Sequence, residues 1–117
     1  MADSPSKGRL FVTLRGLLEH TSSTARVLDD GRLELEYYDF SPAAQAHLGN
    51  DVAWIYRLEA SQKPRLSALL EARTGSAIPD DQAILDALVQ SFADTPQVKA
   101  WLLEKQIPFE EEFDPWA

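Results

Sequence analysis

The feature that most constrains this chain is a change of hydrophobic period partway along it. Up to about residue 60, apolar residues recur at every second position, the spacing of half-buried strands. Leu10, Val12, Leu14 and Leu18 share one parity; so do Leu33, Leu35 and Tyr37, and later Val52, Trp54, Tyr56 and Leu58. From Pro64 onward the apolar spacing is helical. Leu66, Leu69 and Leu70 form one stripe; Ile84, Leu85, Leu88, Val89 and Phe92 form a second; Val98, Trp101 and Leu102 form a third. Strands first and helices after predict an α+β domain, a mainly antiparallel sheet with about three helices packed on one face.

Punctuation residues set the boundaries. Asp30-Gly31 signals a hairpin turn, because both residues tolerate positive φ. Strands are expected near residues 9–19, 32–39 and 52–60, and "HTSSTARVL" reads either as a weak additional strand or as a loop. "SPAAQAHLG" carries the signals of a short helix, with Ser41 as N-cap, Pro42 at its first position and Gly49 as its stop. Longer helices are expected near 64–74, 80–93 and 96–105, the second opened by Asp80-Asp81 and the third capped by Thr95. Trp54, Phe92 and Trp101 are expected to be buried together. Residues 1–8 read as a disordered lead and residues 9–117 as a single domain.

The segment "IPFEEEFDPW" admits two readings, a strand or a loose arm. Ile107, Phe109 and Phe113 share one parity and Glu110 and Glu112 the other, with Glu111 alone breaking the apolar side. Burying each phenylalanine is worth about 1.5–3 kcal/mol, which a free arm would forgo. A final strand over about 107–113 is therefore expected, with both phenylalanines in the core. Glu110 and Glu112 then project beside Glu34 and Glu36.

Charge narrows the function. The net charge is −8, and the acidity is concentrated in two places. Residues 27–60 carry seven acidic against two basic groups, and residues 100–117 carry five against one. Such a chain repels phosphate, so nucleic acid is not an expected partner, whereas a basic protein would be attracted and steered. No apolar run approaches the ~20 residues that span a bilayer, and "MADSPSKGR" lacks the apolar core of a signal peptide. A cytoplasmic protein with no membrane partner is expected.

Chemistry is not announced by any motif. There is no cysteine, so neither disulfide nor thiolate chemistry is available. His20 and His47 are the only histidines. His47 lies near Asp39 and Asp51 in sequence, but zinc usually takes three or four His or Cys ligands, and His47 reads as a surface or helix-end residue. Asp29-Asp30 and Asp80-Asp81 read as turn and helix-start chemistry, without the alternating ligands of a calcium loop. Ser22 and Ser23 lack a glycine-flanked elbow, and no glycine-rich phosphate loop is present. No catalytic, metal-ligating or cofactor-binding residue is singled out. The expected partner-binding set is Glu34, Glu36, Tyr38, Glu110, Glu112 and Trp116: carboxylates of the two acidic segments with two aromatics that parity leaves outside the core.

"LELEYYDF", then "LGNDVAWIYRLEA", a leucine helix and "WLLEKQIPFEEEF" before Trp116 together resemble small bacterial proteins that include proposed immunity proteins of polymorphic toxin systems. The resemblance covers roughly residues 32–117 and is carried by Asp39, Gly49, Asp51, Trp54 and the "WLxxxxIxF" close. The chain departs from the pattern at Ala53, where a further acid is expected. The resemblance implies a non-enzymatic inhibitor that masks a basic, nuclease-like toxin, and it carries over no catalytic residue. The alternatives are an adaptor or regulatory domain with another protein partner, and a small enzyme whose site is assembled only in the fold. Monomer and homodimer both remain open, with the strand Arg9–Glu19 as a candidate pairing edge.

Overall fold

Seven consecutive residue pairs, from Thr21↔Asp39 to Val27↔Leu33, join the two strands on either side of the Asp30-Gly31 turn. In that turn Gly31 adopts φ 91° and its N–H donates to the Leu28 carbonyl at 2.9 Å. The Asp30 carboxylate accepts from both the backbone N–H and the Nε of Arg32, so turn and side chain lock each other. A computed structural model of the chain describes residues 11–18, 21–41 and 51–115. The strands are β1 (Phe11–Leu18), β2 (Thr21–Val27), β3 (Leu33–Asp39), β4 (Val52–Leu58) and β5 (Glu110–Asp114). Between β4 and β5 run a short 3-10 turn and three helices: α1 (Lys63–Thr74), α2 (Asp81–Ser91) and α3 (Thr95–Glu104).

All strand pairs are antiparallel, and the spatial order β1-β2-β3-β4-β5 follows the chain. The α+β expectation holds. The ambiguous "HTSSTARVL" segment resolves as β2, an interior strand. Its small side chains suit that position: Ala25 and Val27 are fully buried, and Ser23 receives a hydrogen bond from a helix. Strand β1 is an edge, as anticipated; the alternation read in its side chains, the short helix at 41–49, His20, His47, Trp116 and the lead at 1–8 lie outside the described residues.

One face of the sheet meets the helices. Ala25, Val27, Leu33, Leu35, Tyr56 and Leu58 pack there against Leu66, Leu70, Ile84, Leu85, Leu88, Val98 and Leu102. Helices α1 and α2 start, and α1 stops, at the signals their sequence displays. Pro64 occupies the first turn of α1, and Gly75 ends it in the left-handed conformation. The Asp80 side chain caps α2 by accepting from the Ala83 N–H, while Asp81 reaches Lys63 at 3.0 Å and ties the starts of α1 and α2 together.

Three expectations need correction. The cap of α3 is Asp94, which accepts from the Gln97 N–H at 3.0 Å; Thr95 is instead spent on the sheet. Its N–H donates to Ser23 Oγ and its hydroxyl to the Glu36 carbonyl. Phe92 and Trp101 are buried together with ring centroids 5.2 Å apart, whereas Trp54 packs against the same core only partly buried. Its ring stands between those of Tyr37 on β3 and Phe113 on β5, the latter itself exposed.

The third correction concerns the final strand, which begins at Glu110 rather than at 107. Ile107 belongs to the turn leaving α3: it is buried, and its N–H donates to the Leu102 carbonyl. Gln106 turns the chain there at φ 58°, and the Arg65 guanidinium donates to the carbonyls of Lys105 and Gln106 from α1. Phe109, just before the strand, packs edge-on against Tyr56 and is half-buried. Phe113 does not insert into the core; it is 43% exposed, on a strand that is last in the sheet order and so has a neighbouring strand on one side only among the described residues.

Candidate functional site

The second face of the sheet carries a polar row that crosses four strands. Register sets Arg26 opposite Glu34, Glu34 opposite Arg57, and Arg57 opposite Glu110. Paired residues on adjacent antiparallel strands point to the same face, so charges of opposite sign become direct neighbours. The Glu34 carboxylate is the centre of this row. Its Oε1 accepts from Arg26 at 2.7 Å and its Oε2 from Arg57 Nε at 2.9 Å. Arg57 then reaches diagonally to Glu112 Oε1 at 2.8 Å instead of to its direct neighbour Glu110. The two carboxylates together hold the Arg57 guanidinium above its ordinary pKa, Glu112 contributing most.

Glu34 is consequently only 8% exposed, with both oxygens engaged. Of the carboxylates expected to meet a partner it is the least accessible, and its contact is with the arginines on either side. Arg26 and Arg57 were not foreseen as part of the surface. Parity alone places Arg57 on the same face as Ile55, but only the register reveals that it stands beside Glu34.

Glu36 sits on the same face between Thr24 and Ile55 and is half-buried. Its carboxyl is pushed above the usual range, first by burial and then by the charges of Glu34 and Asp114, against which Arg26 pulls down. Tyr38, the next outward residue of β3, donates its hydroxyl to Asp51 Oδ2 at 3.0 Å and packs edge-on against Phe40. That hydrogen bond is the main reason its phenol titrates higher than usual. Tyr38 is therefore a half-exposed, tethered aromatic.

Strand β5 is different in kind. It reads Glu-Glu-Glu-Phe-Asp, and all of it is exposed except the half-buried Asp114. Glu110, Glu112 and Asp114 lie on the face of the polar row, and Glu111 and Phe113 on the helix face. Glu111 reaches Lys99 of α3 at 3.2 Å, which raises the lysine pKa, and the same ammonium lies 5.1 Å from the Tyr56 ring. Phe113 completes an aromatic row, Tyr37–Trp54–Phe113, with successive centroids 6.1 and 5.1 Å apart. The structure thus brings Glu34, Glu36, Glu110 and Glu112 onto one face, while adding Glu111, Phe113 and Asp114 at the edge.

Two concavities flank this region. One, of about 190 Å³, lies where β5 begins, between Arg57, Glu59, Gln62, Pro108, Phe109 and Glu110. Another, of about 270 Å³, lies on the outer side of the helix layer between α1 and α3 and is lined by Leu69, Arg73, Trp101 and Lys105, among others. Among the described residues no group of three or more His, Asp or Glu side chains is arranged to hold a metal ion, and no helix is long and apolar enough to cross a membrane. Compared with protein-family models, curated proteins and solved structures, the chain matches none.

Proposed function

We propose that this chain is a non-enzymatic, acidic protein-binding domain that captures a basic partner protein. In its specific form, the partner is a basic, nuclease-like bacterial toxin that the domain neutralises as an immunity protein does. The observation that carries the reading is β5, an exposed edge strand with acids at Glu110, Glu111, Glu112 and Asp114 and a 43%-exposed phenylalanine among them. Charges so placed speed the encounter with a cationic surface, and an aromatic anchor slows release once the surfaces meet.

Within the expected set, Glu110, Glu112, Glu36 and Tyr38 form the accessible part, and Glu34 acts by holding Arg26 and Arg57 in place. The test is association kinetics with the product of the neighbouring gene, which the proposal expects to be basic. Replacing Glu110 and Glu112 by Gln should lower the association rate several-fold at low ionic strength, with the difference shrinking as salt is added. A neighbouring gene product that is acidic or neutral yet binds tightly, or association indifferent to salt, would sink the proposal.

A further inference from the structure

We infer that the partner binds by β-strand addition: a basic, extended segment docks antiparallel along the outer edge of β5 and becomes the sixth strand of the sheet. The inference rests on the protein-binding reading above and adds how the partner is held. Strand β5 is last in the sheet order, so its outer edge meets no further strand among the described residues. Such an edge offers a row of backbone donors and acceptors to an incoming chain.

Side-chain placement selects the occupant. Glu110 and Glu112 point to the face of the polar row and are exposed, so the residues opposite them in a docked strand would be cationic. Phe113 ends the Tyr37–Trp54–Phe113 row on the other face, so the residue opposite it would be apolar and would extend that row. Glu111, on the face of Phe113, already has Lys99 as its counter-ion, so the favoured segment alternates basic and apolar residues. A second copy of this chain is a poor occupant, because antiparallel self-pairing centred on Glu112 sets Glu112 against Glu112 and Glu110 against Asp114. The opposite edge, β1, reads "FVTLRGLL" and carries no acid, so it offers a cationic strand no such complement.

The test uses the full chain, isotopically labelled, and three synthetic probes: a peptide alternating arginine with valine, one alternating glutamate with valine, and a helix-forming peptide matching the first in charge. The expected result is binding of the arginine–valine peptide alone, with slowed amide exchange confined to Glu110–Asp114. Glu110→Lys, at an exposed position, should weaken that binding by about tenfold, and Phe113→Ser should weaken it without altering the amide pattern of β2–β4. Binding of the arginine–valine peptide with β5 amides unchanged would overturn strand addition and leave the protein-binding reading standing. Equal binding of the helical peptide would do the same, since charge alone would then suffice. If neither basic peptide binds, both the inference and the reading on which it rests fall.

Discussion

Glu36 is gripped from both sides of the sheet: the Thr95 hydroxyl donates to its carbonyl at 2.9 Å from the helix layer, while its carboxyl is half-buried on the opposite face. Thr95 is completely buried, and its N–H also donates to Ser23 Oγ on β2. One residue at the start of α3 thus pins the helix to two adjacent strands.

Removing that pin should be felt in stability alone. Thr95→Val keeps the shape but removes the hydroxyl, and should cost about 1 kcal/mol. Ser23→Ala leaves the Thr95 N–H without its acceptor and should cost more, about 1–3 kcal/mol. Denaturant titration of both variants checks the order; a Ser23→Ala midpoint equal to wild type would mean that α3 is held by packing.

Glu34→Gln and Glu36→Gln should act in opposite directions although they sit two residues apart. Glu34 partners two arginines, so neutralising it strands Arg26 and Arg57 and should destabilise by about 1–2 kcal/mol. Mutual repulsion among the strand carboxylates would make both changes neutral or stabilising, but the arginine row reverses that sign at Glu34. Equal thermal midpoints for the two variants would contradict the pairing.

Glu36 gives a pH signature. Its folded pKa is raised above the ordinary 4.5 by burial and by the charges of Glu34 and Asp114. The folded state therefore binds the proton more tightly, and stability falls as pH rises from 4.5 through the raised value. Above that window the unfavourable contribution is constant. Glu36→Gln should raise stability at neutral pH and flatten the profile just above 4.5; a steeper profile in the variant would be the wrong sign.

Gly31→Ala tests the hairpin turn. At φ 91° an L side chain is strained, and a Cβ would lie 3.3 Å from the Ala60 Cβ. A loss of about 1–2 kcal/mol is expected, with an unchanged denaturant slope. No loss at all would show that the turn rearranges freely.

Local chemistry made most of the architecture legible. The Asp-Gly turn, Pro64 and Gly75 around α1, and the apolar stripes of α2 and α3 each place an element through interactions a few residues long. What escaped depends on register and on distant partners. Thr95 reads as the cap of α3, and only the nearness of Ser23 and Glu36 shows why it serves the sheet and leaves the cap to Asp94. Parity placed Phe113 on the apolar side of its strand, but it could not reveal that this strand is the last of the sheet. The acidic residues were legible as a set; Arg26 and Arg57, which divide that set into engaged and available members, were not.

Strand β5 pairs with β4 only after three helices have intervened, and the Arg57–Glu112 contact spans 55 positions of chain. The β2–β3 ribbon closes through a tight turn, whereas the β4–β5 ribbon must close a long loop and adds a single, exposed strand when it does. Its pairing is therefore expected to form after the β2–β3 ribbon and to open before it. A ligand that occupies β5 would then do more than cover a surface. It would draw an edge strand into the same unfolding unit as the core, and resistance to proteolysis at Gln106–Phe109 would report occupancy.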